Sequence, residues 1–174
     1  MPIAAPANKQ PDHLIATWES FNCSVNREVI GFHRCLIVDP DKTLLTAEFE
    51  YIRAFSNVNI TLALYVRRGK SKMFRKTLVL RLNYCELSQN KIRNKIGNMA
   101  YKSVIKNSNY PRKCPVPKAL YYFRDINLSD NIPPFLPPTS FKAEIYFFSI
   151  DIKIITVSLS GNFTRKQTNK YNFD

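Results

Sequence analysis

The sequence predicts a mainly β protein, an antiparallel β-sandwich crossed by one amphipathic helix. Three observations carry that expectation. Apolar and polar residues alternate with period two through most of the chain, the pattern of strands with one buried face. Hydrophobic residues make up 45% and aromatics 13% of the 174 residues, enough for a packed core. A single stretch, residues 85–107, shifts to helical spacing.

The elements follow in order. Residues 1–14, "MPIAAPANKQPDHL", hold three prolines and no apolar core of about 7–15 residues, so they read as a flexible leader and not as a signal peptide. The sandwich domain is expected over residues 15–163 and a flexible basic tail over 164–174. "NCSVNREVIGFHRCLIVD" reads as two short strands around Gly31. "LLTAEFEY" places Leu45, Ala47, Phe49 and Tyr51 on one face and Glu48 and Glu50 on the other. "VNITLALYV" groups Val58, Ile60, Leu62, Leu64 and Val66, and "KTLVLRLNY" sets Leu78, Leu80 and Leu82 opposite Arg81. "KALYYFRDINL" is an aromatic, β-favouring run. "FKAEIYFFSIDIKIITVSLSGNF" is long enough for two strands that turn near Ser149 to Lys153.

The helical stretch is free of proline from Cys85 to Asn107. At about 100° per residue, Ile92, Ile96 and Met99 share one face, and Lys91, Lys95, Lys102 and Lys106 form an adjoining stripe. Irregularity is expected near Gly97, and Pro111 stops the helix. One helix cannot bury its face alone, so it must lie on the sheet.

Composition excludes several functions. Four glycines leave no Gly-rich phosphate loop, and no run of about 18 apolar residues spans a membrane. With two histidines and no Cys-x-x-Cys spacing, no metal site is expected. His33 lies near Cys35, but that cysteine is better used in a bridge, and Glu48 and Glu50 share a solvated strand face. The chain is therefore expected not to be an enzyme and to need no cofactor. The net charge of +13 draws anionic partners without saying which.

Four cysteines, Cys23, Cys35, Cys85 and Cys114, fit two disulfides or four buried thiols in a reducing compartment. Three pairings are possible. The sequential one is favoured: Cys23–Cys35 would staple neighbouring strands, and Cys85–Cys114 would close a loop of 28 residues around the helix. Asn-x-Ser/Thr sequons at Asn22, Asn59, Asn127 and Asn162 agree with an extracellular location. Asn59, inside a strand pattern, is an edge position at best.

The segment "RRGKSKMFRK", residues 67–76, reads as a hairpin tip with Arg67, Arg68, Lys70, Lys72, Arg75 and Lys76 around Gly69. Cations beside Met73 and Phe74 suit a contact with anionic lipid headgroups. Nucleic acid is disfavoured as the partner by the cysteines and sequons, and a plain solvated turn is the competing reading.

Taken together, "FNCS" at 21–24, "HRCLI" at 33–37, "VNITLALYVRRGKSKMFRKTLVLRLNYCEL" at 58–87, "KCPVP" at 113–117 and "NIPPFLPPTSFKAEIYFF" at 131–148 resemble the insect-expanded family known as domain of unknown function 1091. That family is related to the lipid-recognition β-sandwich proteins, the class of sterol-transfer and ganglioside-activator proteins. The likeness runs from about Trp18 to Phe163. Relatives usually begin with a signal peptide and often carry glycine where this chain has Thr139-Ser140. The resemblance implies a secreted immunoglobulin-like sandwich with an apolar pocket between its sheets. Some members are linked to contact-pheromone detection in chemosensory tissue. Lipid, sterol or hydrocarbon would be the ligand, with a receptor or membrane surface as further partner. The apolar strand phases then nominate Leu62, Leu64, Leu80, Phe123, Ile145, Phe147 and Val157 as the lining, opening near Pro133–Pro138. The alternative function is an extracellular interaction or adhesion protein with a filled core and a cationic surface.

Overall fold

Eight strands among the described residues form two antiparallel sheets that face each other. The structure is a computed structural model and describes residues 13–133 and 135–165. The strands are β1 (Leu14–Val25), β2 (Ile30–Ile37), β3 (Leu45–Tyr51), β4 (Asn59–Arg67), β5 (Phe74–Asn83), β6 (Ala119–Ile126), β7 (Thr139–Ser149) and β8 (Ile152–Arg165). Helices α1 (Tyr84–Ser88) and α2 (Lys95–Ile105) lie between β5 and β6, and a 3-10 turn spans Ser129–Asn131. Strand order is β1-β8-β7-β4-β5 in the larger sheet and β2-β3-β6 in the smaller. The expected mainly β sandwich is present. Most of the leader and tail, residues 1–12 and 166–174, lies outside the described residues, while β1 begins at Leu14 and β8 ends at Arg165.

Alternation explains the strands. In β3, Leu45, Ala47, Phe49 and Tyr51 are buried as their phase requires. The long aromatic run divides into β7 and β8 at Ile150 and Asp151. Two details depart from the sequence reading. Gly31 is not the turn between β1 and β2 but the second residue of β2. The turn is made at Asn26, whose carbonyl accepts from Val29 and Ile30 and whose side chain accepts from the Glu28 amide. Asn59 is not at an edge, because β4 pairs with β5 on one side and β7 on the other.

The single helix is also corrected to two. Asn83 caps α1 by accepting from the Glu86 amide, and Asn94 caps α2 by accepting from the Gly97 amide. Residues 89–94 separate them, with Asn90 at φ 58°. The lysines stand outside as expected, with Lys91, Lys95, Lys102 and Lys106 all exposed. Ile92, Ile96 and Met99 are not the inward stripe: Gly97 and Ile105 are buried, and the half-buried Ala100, Tyr101 and Val104 face the interior with them. A five-stranded sheet cannot be covered by three strands, and α2 supplies the missing cover over β4 and β5.

Both bridges of the sequential pairing are present, Cys23–Cys35 with Cα atoms 6.2 Å apart and Cys85–Cys114 with Cα atoms 5.7 Å apart. Cys23 and Cys35 sit on adjacent strands of the chain that belong to different sheets, so this bridge ties layer to layer. Cys85–Cys114 ties α1 to the segment after α2.

The interior has two unlike halves. Near the β4–β5 hairpin it is filled. Trp18, 2% exposed, meets Phe141 edge to face at 5.4 Å, and Phe141 stacks on Phe163 at 4.1 Å. Gly161 permits this packing, because a Cβ there would collide with the backbone oxygen of Thr17 and crowd the Phe141 ring. Leu136, from the proline-rich segment, is buried in the core.

Candidate ligand cavity

The other half holds an apolar cavity of about 210 Å³, bordered by both sheets and both helices. From the larger sheet come Phe21 on β1, Ile60 and Leu62 on β4, Leu80 and Leu82 on β5, Ile145 and Phe147 on β7, and Val157 on β8. Ala47 and Phe49 on β3 and Phe123 on β6 face them from the smaller sheet. Small residues make the room. Gly97 lies so close to Leu82 that a Cβ would stand 3.1 Å from its methyl, and Ala100 follows three residues later on the same helical stripe.

Of the residues nominated from strand phase, Leu62, Leu80, Phe123, Ile145, Phe147 and Val157 border the cavity. Leu64 does not. It is buried in the core toward the filled half, next to Val66, although it shares the phase of Leu62. The expected rim at Pro133–Pro138 is likewise corrected: none of the described residues of that stretch borders the cavity, and Leu136 is buried in the core instead. Sequence reasoning missed the α2 wall. The signal was available as the i, i+3, i+4, i+7 series Gly97, Ala100, Tyr101, Val104, but glycine, alanine and tyrosine score low as apolar residues beside isoleucine and methionine.

Tyrosines cluster in one part of the wall. Tyr110 packs against Tyr84 at 5.0 Å, Tyr121 at 4.9 Å, Phe123 at 5.4 Å and Tyr51 at 5.9 Å. These mainly edge-on contacts suit the ring quadrupoles. The Tyr51 and Tyr110 hydroxyl oxygens are 3.1 Å apart. Tyr84 donates to the Pro111 carbonyl at 2.6 Å. Burial pushes the Tyr51 phenol up to about 12, against the opposing effect of its bond with Tyr110. Burial also raises Tyr84 and Tyr110, the latter further by the neighbouring Tyr51.

The residues weighed for catalysis are not assembled for it. Cys35 is bonded to Cys23, and His33 Nδ1 has no hydrogen-bond partner among the described residues. Glu48 pairs with Arg34 at 3.1 Å. No group of three or more His, Cys, Asp or Glu side chains gathers to hold a metal among the described residues.

The basic hairpin joins β4 to β5, with Gly69 at φ 55°. Arg68, Lys70 and Lys72 are exposed and form no ion pair among the described residues, and Met73 is 71% exposed. Phe74 is not the exposed residue of the tip. It is half-buried, with Lys142 Nζ 4.6 Å and the Arg67 guanidinium 5.8 Å from its ring centre. Arg67 also donates to Ser140 Oγ at 3.1 Å.

No helix of the described residues is long and apolar enough to cross a membrane. No curated protein matches the chain. The family model described as protein of unknown function (DUF1091) matches residues 58–143, which carry β4, β5, both helices, β6 and the start of β7, and over these residues the chain is similar to that family.

Proposed function

We propose that the protein is a secreted, non-enzymatic binding protein that holds an apolar ligand between its two sheets, in keeping with the lipid-recognition sandwiches to which the family it resembles is related. The observation that carries this reading is the cavity. Its wall is almost wholly apolar, so a molecule that fills it removes hydrocarbon surface from water, at about 25 cal/mol per Å². An apolar cavity of about 150 Å³ holds one benzene ring, so this one suits about eight carbons at similar packing, or one end of a longer chain.

Two disulfides suit an oxidising, extracellular location. Asn22, exposed on the edge strand β1, is the sequon best placed for glycan. Asn59 is held by Asn83, and Asn162 by Ser140 and Glu19. The hairpin cations would bring the protein to anionic surfaces where apolar ligands are found.

Organic extraction and mass spectrometry of the protein purified from insect cells tests the reading. A stoichiometric apolar molecule is expected. Protein that carries none and takes up no apolar probe would instead be an interaction or adhesion protein whose interior binds nothing.

A further inference from the structure

The Tyr51–Tyr110 pair in the cavity wall holds one hydroxyl proton more than the described residues can use. Tyr84 donates to the Pro111 carbonyl and Tyr121 to the Pro117 carbonyl, at 2.6 and 2.5 Å. Tyr51 and Tyr110 both border the cavity, are 3% and 6% exposed, and among the described residues their hydroxyls bond only to each other. Each phenol carries one proton. The single bond between them consumes one of the two. The second belongs to whichever tyrosine acts as acceptor, and no oxygen of the described residues receives it. A buried donor left unmet is costly, so a site of this kind favours a ligand that meets it. Apart from the neighbouring phenols of Tyr84 and Tyr101, the rest of the wall offers hydrocarbon and aromatic faces.

Resting on the ligand reading above, we propose that the cavity takes an apolar molecule bearing one acceptor oxygen, as in a ketone, ester or alcohol, which receives the spare proton of the Tyr51–Tyr110 pair. A bare hydrocarbon of the same size fills the space but leaves the proton unmet. The hydroxyl pair therefore orients the ligand, with its oxygen at the tyrosine cluster and its chain toward Leu62, Leu80, Ile145 and Val157. The pair also works with either tyrosine as the internal donor, since the other is then free to donate.

Octan-2-one and n-nonane have the same number of heavy atoms and differ in the acceptor. Their affinities can be measured by headspace gas chromatography over the folded full chain and over the Tyr51→Phe/Tyr110→Phe double variant. The double variant is the informative one, because a single replacement leaves the remaining hydroxyl free to donate. Its binding of octan-2-one is expected to weaken about three- to tenfold, the worth of one net hydrogen bond, while n-nonane changes less than about twofold. Equal changes for both ligands, or none for the ketone, would mean that the spare proton is met by water, and would sink the proposal while leaving the apolar pocket standing. If neither ligand binds the unaltered protein, the binding-protein reading falls and takes this inference with it. The carbonyl stretch of octan-2-one bound to the unaltered chain gives a check that needs no variant. A shift below its value in alkane supports the bond, and an alkane-like value rejects it.

Discussion

Leu62 and Leu64 stand two residues apart on the same face of β4, yet Leu62 borders the cavity and Leu64 is packed into the core beside it. The boundary between the open and filled halves falls between them. A tryptophan at the two positions should therefore have opposite effects. Leu62→Trp places its ring in existing space, so stability should change by less than about 1.5 kcal/mol while apolar ligand uptake falls more than about tenfold. Leu64→Trp must displace packed neighbours and should cost about 1–3 kcal/mol. Denaturant unfolding and probe titration on both variants read this directly. Equal loss of stability at the two sites would mean that the cavity is not available space.

The strands were legible because β alternation is local: Leu45, Ala47, Phe49 and Tyr51 announce their face within seven residues. The same logic located six cavity residues on β4 to β8, since the inward phases of facing sheets must converge. It could not separate Leu62 from Leu64, because phase says which side a residue faces and not how well the far side is filled. That depends on Trp18, Phe141 and Phe163 at one end and on Gly97 and Ala100 at the other, which meet only in three dimensions. The break at residues 89–94 was missed because nothing there is proline. Asn83 and Asn94, each preceding a helix as its cap, were the available signals.

Alkaline pH should loosen the cavity wall before the rest of the molecule is affected. Burial raises the folded-state values of Tyr51, Tyr84 and Tyr110, that of Tyr51 to about 12. An unfolded tyrosine ionises near 10. The stabilisation is thus complete below about pH 10 and is lost as pH rises from there toward the folded values. Tyr51 alone accounts for about 3 kcal/mol across that window. Urea midpoints from about pH 8 to 12 should fall in this range and fall less steeply in Tyr51→Phe. Ultraviolet titration should show buried phenols ionising only with unfolding. All nine tyrosines ionising together near pH 10 would contradict the packing described.

Gly161 sits opposite Trp18 on one neighbour and Phe141 on the other. The obstacle to a side chain there is the Thr17 carbonyl, which is backbone and cannot rotate aside. Gly161→Ala should cost about 1–3 kcal/mol or more, with the near-ultraviolet signal of Trp18 altered. Because the damage falls in the filled half, ligand affinity of the remaining folded protein should be nearly unchanged. Gly69→Ala meets no neighbouring atom and makes a useful contrast, its cost being confined to the positive φ.

The hairpin gives the test of surface contact. Arg67 is occupied by Ser140 and the Phe74 ring, so replacing it would disturb the strand end as well as the charge. Arg68, Lys70 and Lys72 carry no such duty, and serine at all three should leave the unfolding midpoint unchanged. Near an anionic bilayer each cation is worth about 1 kcal/mol. The triple variant should then bind phosphatidylserine vesicles about a hundredfold more weakly, and the unaltered protein should be released at roughly 1 M salt, where charges are screened within about 3 Å. Met73, 71% exposed at the tip, contributes through its apolar side chain instead, so the loss from Met73→Ser should persist at any salt concentration that still allows binding. Cosedimentation with anionic and with neutral vesicles separates the two contributions. Binding that survives the triple replacement would move the contact to another face, such as the exposed lysines on and beside α2, Lys91, Lys95, Lys102 and Lys106.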